Sequence, residues 1–420
     1  MATSPRFQFQ EGTSSYNTYK WVGWALFLLG IFLIAFAYSE TAGITILDND
    51  YNISLPRITK AVSFMVAILG LQVVAGYTGQ LSLGQGFFFG TGAYIASWLV
   101  ADHNWSWAAT LSVIVPSCFL LGMVFGIPAL RIKGLYLALV TLGLAAVFPS
   151  LILLDVLEPY TAGAAGKQTD SDLIPPTWLP LDGIAEFLQK IPLIGQYFGD
   201  GPLSDKQEQR IWTFFLMAVL AAICFKMVSN LIKSRPGRAM RAVRDNETSA
   251  AVTGVNLAFY KTMSFGVASA LAGVGGMIYV AELGIASGSD FTQLISIFFI
   301  VGMVTGGVGT LPGAVIGGLV IAFVPAWASD TQSLPGIPER WLQGPTGPLF
   351  MGILLIVLTF FLPGGVTAGA RKIKARFIRV IPRRPVALAA ATENSTTTSS
   401  SVSDTVTDGD ESGVAETSSL

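Results

Sequence analysis

Charge is scarce in this chain: only 12% of the 420 residues are Asp, Glu, Lys or Arg, while 52% are hydrophobic. A soluble domain carries about twice that charged share, so the composition excludes a water-solvated globule and points to a chain solvated mostly by lipid. Histidine and cysteine are scarcer still, at one and two copies. His103 stands alone in a short predicted loop, so no Ser/His/Asp or Cys/His nucleophile and no metal-ligand cluster can be assembled. Cys118 and Cys224 lie in apolar runs, where a free thiol behaves as a small hydrophobe. The chain is therefore expected to be no enzyme, with no catalytic residue, no metal and no cofactor.

Two further absences concern the energy source. Asp155, Glu158 and Glu282 all fall at predicted span ends, leaving the spans nearly free of ionisable groups. A proton- or sodium-coupled carrier usually needs an intramembrane carboxylate, His or Lys on which the gradient acts. There is also no phosphate loop of the G-x-x-x-x-G-K-[ST] type: Gly163-Ala164-Ala165-Gly166-Lys167-Gln168 has the wrong spacing and no hydroxyl. If ATP drives this protein, the ATPase is another polypeptide.

Apolar runs near the length that crosses a bilayer occur at Trp21–Tyr38, Ile58–Tyr77, Leu81–Ala101, Trp107–Ile127, Gly134–Val156, Ile211–Ile232, Lys261–Ala281, Phe291–Val308, Leu311–Trp327 and Gly347–Pro363. The expected fold is an all-α, polytopic integral membrane protein with about 8–10 transmembrane helices. The third run is rich in glycine, and the eighth and ninth almost touch, so these are candidates for half-spans or broken helices. No cleavable signal pattern follows the first run, which is expected to remain as an anchor. Residues 21–370 form the membrane domain, between a polar segment 1–20 and a basic segment 371–384. The Ser/Thr-rich tail 385–420 holds six acids and no Lys or Arg and is expected to be disordered.

Orientation follows from the basic residues of the short connections. Lys226–Lys261 holds seven basic residues against two acids, Arg131 and Lys133 lie two spans earlier, and 371–384 holds seven more without an acid. The opposite connections are acidic or neutral, including the long loop 157–210 with eight acids against four bases. Both termini are then cytoplasmic. Arg57 and Lys60 dissent and read as snorkelling at the outer interface. Within the outer loop, GIAEFLQKI places Ile184, Phe187, Leu188 and Ile191 at helical spacing, as a surface-lying helix would.

The polar island in segment 234–260 reads SRPGRAMRAVRDNETSAAVTGVNLAFY. Pro236 suits a first helical turn and Gly254 a left-handed close, which predicts one helix of about sixteen residues, roughly 24 Å long. Arg238, Arg241 and Asp245 share one face of it, while Ala239, Ala242, Val243 and Ala250 line another. Asn256 is placed to cap the next helix. In the membrane, Gly76, Gly79, Gly84, Gly86, Gly90 and Gly92 sit among the neutral hydrogen-bonding groups Gln80, Ser82, Gln85 and Thr91, a composition that suits close helix approach or a pathway lining. Gly76-Tyr77-Thr78-Gly79-Gln80-Leu81 also matches Gly306-Gly307-Val308-Gly309-Thr310-Leu311 in its glycines and final leucine, which suggests an internal repeat.

Four strings, GLQVVAGYTGQLSLGQGFFFGTGAYIA, RIKGLYLALVTLGLA, GRAMRAVRDNETSAAVTGVNLAFYK with FGVASALAGVGGMIY, and GGVGTLPGAVIGG, occur in this order from Leu71 to Gly318. Together they resemble the LivM-type permeases of branched-chain amino acid ABC importers. The resemblance implies an ABC importer permease fold in a bacterial plasma membrane, pairing with a LivH-like second permease. It also implies two cytoplasmic ABC ATPase subunits, an external solute-binding protein and a small amino acid substrate, with no nucleic-acid partner. It puts an ATPase-coupling role on Gly237, Arg238, Arg241, Arg244, Asp245, Asn246 and Glu247. The candidate pathway residues are Gly76, Gly79, Gln80, Ser82, Gln85, Thr91, Gly306 and Gly309. Importers of urea or short amides use permeases of the same type and remain the alternative, with a stand-alone carrier or channel further off.

Overall fold

The computed structural model describes residues 7–10, 42–46, 49–169 except 133, 204–330 and 364–381, with isolated positions between 173 and 361. The first apolar run, the outer-loop helix at Ile184–Ile191, most of the last run and the acidic tail lie outside the described residues. Two units are present. In the smaller, which joins Met1–Phe27 to Ile373–Leu420, strand β1 (Phe7–Gln10) pairs in parallel with β6 (Ile378–Ile381), Phe7 opposite Ile378 through Gln10 opposite Ile381.

The larger unit, Leu28–Lys372, is helical. A short antiparallel hairpin, β2 (Ala42–Ile46) with β3 (Asn49–Ile53), precedes α1 (Leu55–Leu71), whose last turn widens into a π-helix over Gln72–Tyr77. There follow α2 (Gln85–His103), α3 (Trp107–Gly126) and α4 (Leu135–Ile152). Beyond them come α5 (Asp205–Lys233), α6 (Arg235–Asp245), α7 (Glu247–Val252), α8 (Leu257–Leu283), α9 (Gln293–Gly306) and α10 (Leu311–Asp330). Helix α11 (Gly365–Phe377) ends the described helices, and two-residue strands β4 (Lys167–Gln168) and β5 (Ile285–Ala286) pair after α4 and α8. Among the described residues five helices are long and apolar enough to cross a membrane, and α4 and α9 are shorter apolar helices. The chain is thus an all-α, multi-pass membrane protein.

The glycine-rich third run begins its helix only at Gln85, leaving 81–84 non-helical. Helix α9, at 14 residues, is about 21 Å long, less than a full span, whereas α10 runs for 20 residues. Helix α8 is the axis: it packs on α1, α2 and α3 and is buried along most of its length. Small residues let it do so, because a Cβ at Gly276 would overlap the Phe89 carbonyl oxygen and one at Gly92 the backbone of Gly273. Between these backbones lies an aromatic cluster in which the Phe89 ring lies 5.3 Å from Phe299, 5.6 Å from Tyr279 and 6.0 Å from Phe64. The Phe89 pairs with Phe299 and Tyr279 are edge-to-face, a geometry that adds about 0.5–1.5 kcal/mol each beyond burial. By contrast α3, α4 and α5 leave Leu120, Val124, Leu139, Val140, Val219 and Met227 exposed, as faces meant for lipid or an apolar neighbour must.

Candidate functional site

The island is not one helix. Helix α6 ends at Asp245, and Asn246 adopts an extended conformation (φ −159°, ψ 110°) before α7 begins. The predicted sixteen-residue rod is therefore corrected to helices of 11 and 6 residues. The cause is local: the Asn246 side chain accepts a hydrogen bond from the Ser249 amide at 3.0 Å, and asparagine gains more as an N-cap than inside a helix. Gly254 is left-handed at φ 84°, and Asn256 caps α8 through the Phe259 amide at 3.1 Å, both as expected. The apolar face also differs. Gly237, Met240 and Val243 are buried, whereas Ala239 and Ala242 are only partly so.

Helix α6 folds back sharply on α5. A Cβ at Gly237 would overlap the carbonyls of Leu231 and Ile232, so only glycine fits there. Arg238 donates to the Lys233 carbonyl at 3.2 Å, and Arg241 donates to those of Ile232 at 3.3 Å and Gly237 at 3.4 Å. Two of the shared-face arginines thus satisfy the carbonyls that α5 leaves open at its C-terminus. Asp245 and Asn246 remain exposed, as do Val252 and Phe259. At the far edge the buried Lys261 holds Glu247, Nζ to Oε1 at 2.7 Å. Replacing Glu247 with glutamine would leave a buried ammonium without its counter-charge and should cost about 2 kcal/mol, less than for a fully buried pair because Glu247 is partly exposed. A lowered melting temperature in detergent checks this; an unchanged one would mean the pair adds nothing.

Arg244, although exposed, reaches across to the end of the bundle. Its Nη1 donates a short hydrogen bond to the Gly76 carbonyl, and its stem and guanidinium lie over two glycine turns. A Cβ at Gly79 would stand 3.2 Å from Arg244 Cγ, and one at Gly309 3.0 Å from Arg244 Nη1. The turns also touch each other: a Cβ on Gly76 would lie 2.8 Å from the Gly309 nitrogen. Gln72, fully buried in the π-helical turn, donates to the Gly307 carbonyl at 3.0 Å and accepts from the Gly309 amide at 2.6 Å. Thr310 donates to the Gly307 carbonyl at 2.8 Å and lies 3.3 Å from the Thr367 hydroxyl of α11. At matching columns of the two resembling strings, Gly79 and Gly309 share a left-handed conformation, φ 76° and 71°. A residue with a side chain is strained there.

Of the candidate pathway residues, Gly76, Gly79 and Gly309 meet at this knot, and Gly306 abuts Gly313 just behind it. Gln80 is buried beside α8, its amide 3.5 Å from the Ser264 hydroxyl and its carbonyl oxygen without a partner among the described residues. Ser82 is buried and accepts weakly from Gly84 at 3.4 Å. Gln85 spends its amide on the Ala67 and Ala268 carbonyls, both at 3.0 Å, bracing α2 to α1 and α8. Thr91 bonds within its own helix, to the Phe87 carbonyl. The residue that sequence reading missed is Gln72; its only signal is being the single amide in the run Ile58–Tyr77.

The family described as the permease component of branched-chain amino acid transport systems matches residues 55–359. The high-affinity branched-chain amino acid transport system permease protein LivM of Escherichia coli (strain K12) is 28% identical over 269 residues, covering 63% of this chain and 60% of that protein. The protein of the same description from Salmonella typhimurium is 27% identical over 290 residues, or 68% of this chain and 64% of the relative. The permease LivH of the same Escherichia coli strain is 31% identical over 125 residues, 28% of this chain and 37% of its own. The chain thus spans less than two thirds of the length of the LivM relatives it matches. No solved structure matches it significantly.

Proposed function

The chain belongs to the branched-chain amino acid transport permease family, and on that premise we propose that it is the non-enzymatic, pore-forming subunit of an ATP-driven ABC importer for branched-chain or related small amino acids. Its partners in this reading are a LivH-like second permease, two cytoplasmic ATPase subunits and an external solute-binding protein. In this reading the island and both termini lie on the cytoplasmic side, which the excess of Lys and Arg in these connections favours.

One observation carries the reading: the basic polar island is tied to the membrane bundle by Arg244 at the point where two helix ends meet. Around it the exposed Asp245, Val252 and Phe259 offer the mixed charged and apolar surface that a partner's groove can take. A partner that moves this surface pulls, through Arg244, on the ends of α1 and α9, so an ATPase stroke has a direct path to the spans. The Gly76–Gly79 and Gly306–Gly309 turns are the moving parts of that path, and Gln72 keeps them together. Purification of the chain from its own membrane, followed by uptake into vesicles, tests the assignment. An ATPase and a second permease should copurify, and leucine uptake should require ATP. Uptake driven by a gradient alone would overturn it, and uptake of urea or a short amide in place of leucine would correct the substrate.

A further inference from the structure

The end of the bundle remote from the island gathers charges that the coupling assembly does not use. Lys60, on the second turn of α1, does not reach outward as a snorkelling side chain would. Its ammonium lies 5.0 Å from the centre of the Tyr279 ring and 5.9 Å from that of Phe64. Among the described residues no carboxylate forms an ion pair with it. Asp290, half-buried in the single turn Gly288–Phe291 between α8 and α9, is close enough for its charge to act on Lys60, Tyr94 and Tyr279. Its side chain makes no ion pair among the described residues either. Burial pushes its carboxyl up from the ordinary range, and the Lys60 ammonium opposes that shift. The Tyr94 hydroxyl, on a residue only 6% exposed, has no hydrogen-bond partner among the described residues.

Tyr94 also walls a cavity of about 270 Å³ between α2 and α4, together with Ile95, Trp98, Phe148 and Ile152. The turn that carries Asp290 abuts this wall, since a Cβ on Gly288 would lie 3.9 Å from both the Tyr94 hydroxyl and Ile152. Edge-on rings connect the two places: Tyr279 to Phe291 at 5.9 Å, then Phe291 to Tyr94 at 5.8 Å. A cation and an anion partly withdrawn from water, each without a counter-charge in contact, are costly. An apolar cavity beside them supplies what charged groups cannot, a place for hydrocarbon at about 0.8 kcal/mol per methylene.

Resting on the importer reading, we propose that Lys60, Tyr94 and Asp290, with the adjoining cavity, form an outer station for a zwitterionic aliphatic amino acid. Lys60 takes the carboxylate, Asp290 the ammonium, and the cavity between α2 and α4 the branched side chain. A neutral amide satisfies neither charge, so the station also separates the amino acid reading from its urea and amide rival.

Saturation-transfer NMR on the purified full chain, with L-leucine, leucinamide and 4-methylpentanoate as probes, tests the station directly. Leucine should give transfer, and each analogue lacking one charge should give markedly less. The near-isosteric Asp290→Asn and the shape-conserving Lys60→Met should each weaken leucine binding about tenfold or more, and Asp290→Glu should restore part of it. Ile95→Trp, which fills the cavity, should lower leucine binding while sparing alanine, a selectivity change that general misfolding would not produce. Leucine transfer unaltered in both charge variants, or leucinamide as strong as leucine, would overturn the station. ATP-driven uptake by the wild-type complex separates the two levels. If it imports leucine and the variants bind and import it equally, the station falls and the importer reading stands; if the wild type drives no leucine uptake, both fall.

Discussion

Replacing Arg244 with glutamate is expected to reduce ATP-driven uptake about a hundredfold while the protein still inserts and assembles. The size of the effect follows from one contact. A charge-assisted hydrogen bond contributes roughly 1.5–3 kcal/mol, and a factor of a hundred corresponds to about 2.7 kcal/mol. Glutamate removes the donor to the Gly76 carbonyl and sets a carboxylate against that oxygen, so the bond becomes a repulsion. Arg244 is itself exposed and is not part of the membrane core, so insertion should be little affected. Uptake and ATP hydrolysis measured on the same vesicles should separate: hydrolysis continues while transport stops, because the motor still docks but its stroke no longer reaches α1 and α9. Arg244→Lys should fall between, since lysine keeps the charge but lacks the planar fork that spans two turns. Normal uptake by the glutamate variant would remove Arg244 from the coupling path.

How much of this arrangement could be read from the chain differs by residue. Apolar runs announced the helices because a lipid solvent demands length and hydrophobicity, which are properties of composition. Cap signals also worked where they were local: Asn256 and Gly254 do what their chemistry requires within a few residues. Asn246 was misread by the same logic applied too weakly. Its cap to Ser249 spans three residues, and a strong cap inside a charged stretch signals a break, not a continuous rod. Other features depend on partners far away in sequence. The Gln72 bonds to Gly307 and Gly309 join residues more than two hundred positions apart, and nothing in a lone amide says which backbone it will meet. Arg238, Arg241 and Arg244 looked alike as island charges, yet the first two cap α5 and the third enters the glycine knot. Helical spacing gives angles around an axis, but not what stands at each angle. Gln85 makes the same point, since an amide in a glycine-rich run suits a pathway lining and a helix brace equally until the Ala67 and Ala268 carbonyls are located.

A valine at Gly276 should abolish the folded bundle itself, a larger effect than any loss of coupling. Helix α8 passes α2 so closely that the added Cβ would fall within the Phe89 carbonyl group, with the Ala93 nitrogen of the same helix at 3.0 Å. The obstacle is backbone on a packed helix, so no rotamer change can clear it, and overpacking that forces backbone shifts costs about 1–3 kcal/mol or more. Neighbouring sites prevent a sideways escape, because a Cβ on Gly275 would lie 2.8 Å from the Ser63 carbonyl oxygen of α1, and Gly273 already abuts Gly92 and Cys118. Moving α8 outward would open the aromatic cluster, since Tyr279 stands one turn on and packs on Phe64 and Phe89. In a membrane, helix association rests on such close contact and not on hydrophobic exclusion from water, so the separated helices regain little by burying their apolar faces elsewhere. The expected result is protein that inserts but is degraded or aggregates on extraction, seen as loss of a monodisperse peak in gel filtration and of copurifying partners. Gly254→Ala, where nothing lies within 4 Å but φ is 84°, is the control: backbone strain alone, of about 1 kcal/mol, should leave the peak in place. If Gly276→Val behaved like that control, the close passage of α2 over α8 would not be what holds the bundle together.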